Sequence, residues 1–416
     1  MSRGRGLAIL AAVVALLAAA PALLPEALLG AAVQMLVAAL FASAFNVLAG
    51  QGGMLSFGHA AYFGVGAFAT LHAMGGVNGS PGLLPTPLLP LAGGVAGLLL
   101  GVVAGWFSTL RSGVYFSMIT LALAELLHAL APQVKGVFGG ESGISAMRAP
   151  AWGLGFGDTR QVYYLTLAWV LLSLAALWGV TRTPFGRLTL ALRENDRRLG
   201  FLGYDAHRLK VVAFALSAAF SGIAGGLQVV NAEAANYALF DIQLSSMVVL
   251  HTYLGGTGAF LGPALGAAVM TFFSYAVSDL TRSWMLYQGV LFVLVMMYVP
   301  DGFVGLAGRM AAAVRMGRAR VRPGRAALAA AGALLVTAGT VLAVELLQRL
   351  FAQDYQAQRS LAGGSWPSLD AFGRRWDPAS AVTWGLPLLL ALAGGAVVMA
   401  ARRVPALAPA EPEGGP

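Results

Sequence analysis

Charged residues divide this chain into long apolar runs: 6–25, 27–110, 161–181, 211–232, 242–278, 283–300, 326–344 and 378–401 contain no Asp, Glu, Lys or Arg. A helix rises about 1.5 Å per residue, so about 20 apolar residues cross a hydrocarbon layer about 30 Å thick. The run 27–110 is long enough for three crossings. It divides near Gly50 to Gly53 and between Gly75 and Pro90, where helix-breaking residues cluster. Residues 112–132 form a further apolar segment that carries Glu125 and His128. The pattern predicts crossings near 7–24, 28–49, 54–74, 88–108, 112–132, 161–181, 210–231, 244–258, 260–280, 285–306, 326–347 and 381–401. The expected fold is therefore all-α and polytopic, about ten core transmembrane helices plus a two-helix C-terminal extension. The pair 244–258 and 260–280 is short, and one re-entrant element would preserve the same parity. Residues 1–27 hold an apolar stretch longer than a usual signal core, which favours a retained first helix over a cleaved leader.

Composition narrows the function classes. The chain is 58% hydrophobic and 10% charged, whereas soluble domains are about 45–50% apolar and about 25% charged. That excludes a soluble enzyme, a nucleic-acid binder and a disordered scaffold. The net charge of +9 then reports sidedness, because Lys and Arg accumulate in cytoplasmic loops. The loop 182–210 carries Arg182, Arg187, Arg193, Arg197, Arg198, Arg208 and Lys210, and 309–325 carries six arginines. Both are expected inside, as is the N-terminus. The stretch 232–243 holds Glu233 and Asp241 without a basic residue and is expected outside. With no cysteine there is no disulfide framework and no thiolate metal site.

Three segments carry candidate chemistry. The glycines at 50, 52 and 53 precede an apolar helix rich in small residues, which fits either close packing or a broken helix lining a polar path with Gln51, Ser56 and His59. Glu125 and His128 lie three apart on one helix face. An ionisable group at membrane depth normally faces the bundle interior or a water-filled cavity, so Glu125 is a path candidate, with satisfaction near a helix end as the alternative. A carboxylate-bridged metal bundle needs two Glu-x-x-His motifs and two further glutamates; one such motif is present and no metal is expected. In the loop 182–210, Leu188, Leu192, Leu199 and Leu202 can share one face of a short helix opposite Arg193, Glu194, Arg197 and Arg198. That is an amphipathic surface helix, either a positive-inside anchor or an element that docks on a partner.

The run from Asn46 to Ala67 resembles the permeases that import branched-chain amino acids across the bacterial inner membrane, the LivM side of the LivH/LivM pair of ATP-binding-cassette transporters. In the same order come Arg111 to Phe116, Thr120-Leu121-Ala122 with Glu125, Gly139 to Ile144, Phe185-Gly186-Arg187 with Ala191 to Asp196, Leu254 to Gly258 with Gly262-Pro263, and Pro300 to Phe303. The resemblance covers roughly 28–308. It implies a permease core over those residues, adds Thr120 and Gly256 to the translocation path, and puts Glu141 and Ser142 in an extracytoplasmic loop. It also makes 182–210 an ATPase-coupling loop, with Arg187, Arg193, Glu194, Asn195, Arg197 and Gly203 as coupling residues. The implied partners are a second, LivH-like permease, two cytoplasmic ATPase subunits, an extracytoplasmic binding protein and the lipid bilayer.

Phosphate-binding loops need Gly-Lys-Ser/Thr. The two lysines, Lys135 and Lys210, follow Val134 and Leu209, so no ATPase site is expected in this chain; the resemblance implies that it binds no cofactor of its own and that ATP is hydrolysed by partner subunits. Cargo of urea, short amides or other amino acids is the alternative within the same machine. A stand-alone secondary transporter would have to couple ions through Glu125. Beyond the family pattern lie an arginine-rich linker at 309–325, a helical hairpin at 326–402, and a tail at 403–416 whose Pro, Ala and Gly content predicts disorder.

Overall fold

The computed structural model describes residues 3–75, 82–278, 281–299, 301–315, 323–361 and 365–403. The expected tail from residue 404 onward, and Arg318, Arg320 and Arg322 of the linker, lie outside the described residues. The apolar runs become helices α1 (Arg3–Leu23), α2 (Glu26–Asn46), α3 (His59–Met74), α4 (Leu89–Ser108), α5 (Val114–Leu130), α6 (Lys135–Phe138), α7 (Thr159–Arg182), α8 (Pro184–Glu194), α9 (Asp196–Phe201) and α10 (Ala206–Ala232). There follow α11 (Ile242–Gly255), α12 (Gly262–Ser278), α13 (Trp284–Tyr298), α14 (Gly302–Arg315), α15 (Pro323–Phe351), α16 (Gln353–Leu361) and α17 (Ala381–Arg403). Among the described residues strands are confined to two short antiparallel pairs, β1 (Ile144–Ser145) with β2 (Ala234–Ala235) and β3 (Leu369–Ala371) with β4 (Arg374–Trp376). The protein is an all-helical polytopic membrane protein.

Among the described residues six helical segments are long and apolar enough to cross a membrane, or up to eight if two bent helix pairs each count as one crossing. That is fewer than the expected twelve, for a physical reason. Several expected crossings are shortened by glycine junctions: α11 has 14 residues, a rise of about 21 Å against a hydrocarbon thickness of about 30 Å. The crossing expected over 54–74 is helical only from His59, and the one expected over 285–306 divides into α13 and α14.

The chain forms two compact units: residues 1–276 with 288–307, and residues 277–287 with 308–416. In the first, α10 is the central helix and packs against α4, α3 and α2. Close approach is possible because glycines meet at the crossings. A Cβ on Gly225 would lie 1.9 Å from the Phe63 carbonyl oxygen, and one on Gly222 would lie 2.2 Å from that of Gly93. Hydrophobic burial drives helix association weakly in lipid, so such backbone contacts are what hold small-residue crossings together. Around them lies a core that includes Leu40, Phe45, Tyr163, Ala224 and Leu227.

The loops gather at two opposite ends of α5. Residues 50–55, 111–117 and 192–210 meet at one end of α5. At its other end β1 pairs with β2, and Arg148 Nε bonds Glu233 Oε1 at 2.9 Å.

The second unit has its own core of Leu342, Leu346, Tyr355, Leu369 and Ala371. Helices α15 and α17 pack with Gly394 against Gly332, where a Cβ on Gly394 would lie 2.6 Å from the Gly332 oxygen. Glu345 is buried on α15. Its Oε1 accepts hydrogen bonds from Thr281 Oγ1 and from Tyr287 Oη at 2.9 Å, and Ser283 Oγ donates to Gln348 Oε1 at 2.6 Å.

Candidate functional site

The end of α2 does not stop at Asn46; it widens into a π-turn, Val47–Gln51. Such insertions recur at functional sites because they leave backbone groups and side chains off the regular helical ladder. The chain then runs without helix to Gly58, passing Gly53 at φ +67°. The buried hydroxyl of Ser56 accepts from the amide of Gly58, and the amide of Phe57 donates to Thr120 Oγ1 at 3.2 Å. These side-chain bonds take the place of helical ones and delay the start of α3 until His59.

His59 is completely buried, between the rings of Phe45, Tyr62 and Phe214. Its Nε2 lies 2.8 Å from Ser217 Oγ and its Nδ1 3.1 Å from Ser56 Oγ. Ser217 Oγ spends its one proton on the carbonyl of Ala44, 2.7 Å away, so towards the imidazole it can only accept. His59 therefore carries its proton on Nε2, and its Nδ1 accepts from Ser56. A one-way chain of donors, Gly58 to Ser56 to His59 to Ser217 to Ala44, ties the broken segment to α10 and α2. Ser245 Oγ completes the collar by accepting from the amide of Ala60 at 2.9 Å. Replacing Ser217 by alanine leaves the His59 Nε2–H buried without an acceptor, which costs about 1–3 kcal/mol; thermal unfolding of the detergent-purified chain measures it.

Towards the end of the bundle the π-turn meets the loop expected to couple to a partner. Thr183 Oγ1 caps α8 by accepting from the amide of Gly186 at 3.3 Å, and Pro184 occupies the first turn. Gly186, Thr189 and Leu192 are buried, whereas Arg187 and Leu190 face outward. The amphipathic helix expected as one piece is two, because Asn195 is extended and its Oδ1 caps α9 by accepting from the amides of Arg197 and Arg198. Of the four leucines expected on one apolar face, Leu192 and Leu199 are buried, while Leu202 is exposed.

Lys210 Nζ bonds Asp196 Oδ2 at 2.9 Å and holds that carboxyl below the usual aspartate range. Because the folded-state value is the lower one, this pair adds stability at neutral pH and loses it as pH falls through the carboxylate range. A cavity of about 460 Å³ opens between residues 52–55, 111–117 and 192–196, with Lys210 on its wall. Arg193 crosses to the π-turn, its Nη1 donating to the Gly50 carbonyl at 2.7 Å.

Of the residues proposed for a translocation path, Ser56, His59 and Thr120 come together, but as buried bracing; Gln51 is half-buried on the π-turn beside them. Gly256 belongs to a separate junction, where at φ +99° it packs against the Asp301 oxygen and Gly302. Glu125 is exposed on α5 and does not face the interior of this chain's own bundle. Glu141 and Ser142 are exposed beside β1, at the opposite end of α5 from the loop. Arg187, Glu194, Arg197 and Gly203 are exposed on the α8–α9 loop. The sequence reading missed Ser217 and Ser245, polar positions inside apolar runs. It also missed Phe201 and Tyr204, which with Leu202 are exposed at the end of α9. Apolar residues directly after a capped, charged helix were the available signal.

The sequence is similar to those of transport permeases. The profile of the family described as branched-chain amino acid transport system / permease component matches residues 27–300. The high-affinity branched-chain amino acid transport system permease protein LivM of Salmonella typhimurium is 30% identical over 302 residues, 66% of this chain and 69% of that protein. The Escherichia coli protein of the same name is 31% identical over 289 residues, 62% of this chain and 65% of its own length. The chain thus spans about two thirds of both relatives. A probable LivM permease of Methanocaldococcus jannaschii is 28% identical over 299 residues, 64% of this chain and 84% of that protein. No solved structure matches.

Proposed function

We propose, because the chain belongs to the family of branched-chain amino acid transport permease components, that it is the membrane-embedded subunit of an ATP-binding-cassette importer for leucine, isoleucine and valine. The observation that carries this reading is the α8–α9 loop. Phe201 is 91% exposed, with Leu202 and Tyr204 exposed beside it and Arg197 and Arg198 on the preceding turn. An aromatic and basic knob on a capped loop between two membrane-spanning helices fits a pocket on a soluble partner. The chain itself has no phosphate-binding loop, so that partner is the ATPase. The knob then marks the cytoplasmic side, the N-terminus lies inside, and the membrane is the bacterial inner membrane.

A second, homologous permease covers the outer face of α5. Glu125 there shares an exposed surface with Tyr115, Met118 and Leu126, and a carboxylate in lipid is costly enough to require a protein or water-filled neighbour. Substrate moves through the gap between the two permeases as they alternate between inward-open and outward-open packings. The extracytoplasmic binding protein delivers it near Glu141 and Ser142.

Uptake of labelled leucine in a strain lacking the gene, with and without the restored gene, tests the assignment. Restored leucine uptake is expected, and Glu125→Gln is expected to lower it by about tenfold, equivalent to about 1.4 kcal/mol. Restoration of urea or short-amide uptake alone would change the cargo. Pumping by vesicles that contain this chain without ATPase subunits would overturn the reading.

A further inference from the structure

We infer that Arg193 is the link through which movement of α8 reaches the π-turn of α2, which makes it a positioning residue for transport that acts on the membrane segment and not on the ATPase. The inference rests on the reading of the α8–α9 loop as the ATPase-docking element. Arg193 lies in the last turn of α8, yet its Nη1 donates at 2.7 Å to the carbonyl of Gly50, 143 positions earlier in the chain. Carbonyls at a helix end lack intrahelical donors, and a cation there is doubly favoured, by the hydrogen bond and by the helix dipole. Within the π-turn the carbonyls of Val47 and Leu48 are met by the amides of Gly52 and Met54. Gly50 depends on Arg193.

A second contact removes slack from the first. Gly53 sits at φ +67°, and a Cβ there would lie 2.9 Å from Arg193 Cγ and 3.2 Å from its Cα. The arginine is thus gripped on both sides of Gln51, by a charge-assisted bond before it and by backbone contact after it. Movement of α8 in either direction is carried into residues 50–53. The turn that receives it is built to change register. The buried Asn46 Oδ1 has no hydrogen-bond partner and occupies the space over Gly50, where a Cβ would lie 2.1 Å from it. It offers a spare acceptor to a rewound turn. The cavity of about 460 Å³ beside the contact leaves room for the displacement. Beyond the broken segment, the hydrogen-bond chain through Ser56, His59 and Ser217 fixes the far end of the same stretch to α10.

The complete transporter, reconstituted in proteoliposomes with its ATPase subunits, tests this through the ATP consumed per leucine transported, normalised to bound ATPase. Arg193→Gln is expected to raise that ratio at least about tenfold, the size of one charge-assisted hydrogen bond, and Arg193→Lys to restore most of it. An unchanged ratio in Arg193→Gln overturns the inference. Should Arg193→Gln fail to accumulate, a variant that keeps Arg193 supplies the answer. The chain has no cysteine, so spin labels at Arg187→Cys and Gln51→Cys report one distance with and without ATP. A constant distance supports rigid linkage, and a nucleotide-dependent one overturns it. Failure of ATPase subunits to co-purify with the wild-type chain would instead remove the underlying reading of the loop.

Discussion

Gly222→Leu is expected to leave little folded chain in the membrane. Three helices touch at this residue. A Cβ on Gly222 would lie 2.2 Å from the Gly93 oxygen and 3.1 Å from Gly97 Cα, and a Cβ on Gly66 would lie 2.4 Å from Gly222 Cα. The atoms that face a side chain at Gly222 are backbone of α4, which no rotamer change can clear, so α4 must retreat from α10. Overpacking of this kind costs about 3 kcal/mol or more, a large part of the stability of most folds. The same substitution at Gly179 on α7, where a side chain meets nothing within 4 Å, is expected to be tolerated. Size-exclusion profiles and thermal unfolding of the two variants give the comparison. Equal behaviour of both would show that the α3–α4–α10 contact is not what limits stability.

Phe201→Ala is expected to weaken association with the ATPase subunits by about 30-fold while leaving the permease as stable as before. A buried aromatic anchor at an interface is worth about 2 kcal/mol or more, which converts to that factor. At 91% exposure in the isolated chain, Phe201 has almost no packing to lose. Leu202→Ala is expected to act in the same direction with a smaller effect. Co-purification and surface-bound affinity measurements read the change, and unaltered affinity in both variants would remove the knob from the docking surface.

Much of the fold was legible because charges interrupt it so sparingly. The runs bounded by Arg111, Arg182, Lys210 and Glu233 mark α4, α5, α7 and α10 to within a few residues. The breaks were harder to read. Glycines at 50, 52 and 53 announce that a helix stops, but where the next begins is decided by Thr120, Ser217 and Ser245, whose hydrogen bonds to residues 57–60 span 63 to 185 positions.

Residue type singled out candidates but not their surroundings. Ser56, His59 and Thr120 were singled out by residue type and resemblance, and no local pattern announced that hydrogen bonds would join them to α10 and to the start of α3. Glu125 was expected to face the bundle interior or a water-filled cavity, with satisfaction near a helix end as the alternative; it is exposed on α5 of this chain, and residue type alone does not say what faces it. Arg193 was placed on a charged helix face, and no local pattern could announce its bond to Gly50.

The clasp on Glu345 bears on where this protein can be divided. The family match ends at residue 300, which invites the view that everything later is an ornament added to a finished permease. Thr281, Ser283 and Tyr287 fall inside the matched stretch, yet their hydroxyls are satisfied by Glu345 and Gln348 of the later helix. The seam of ancestry and the seam of structure therefore run through different places, and a chain trimmed at the first would strand three hydroxyls that the second had already claimed.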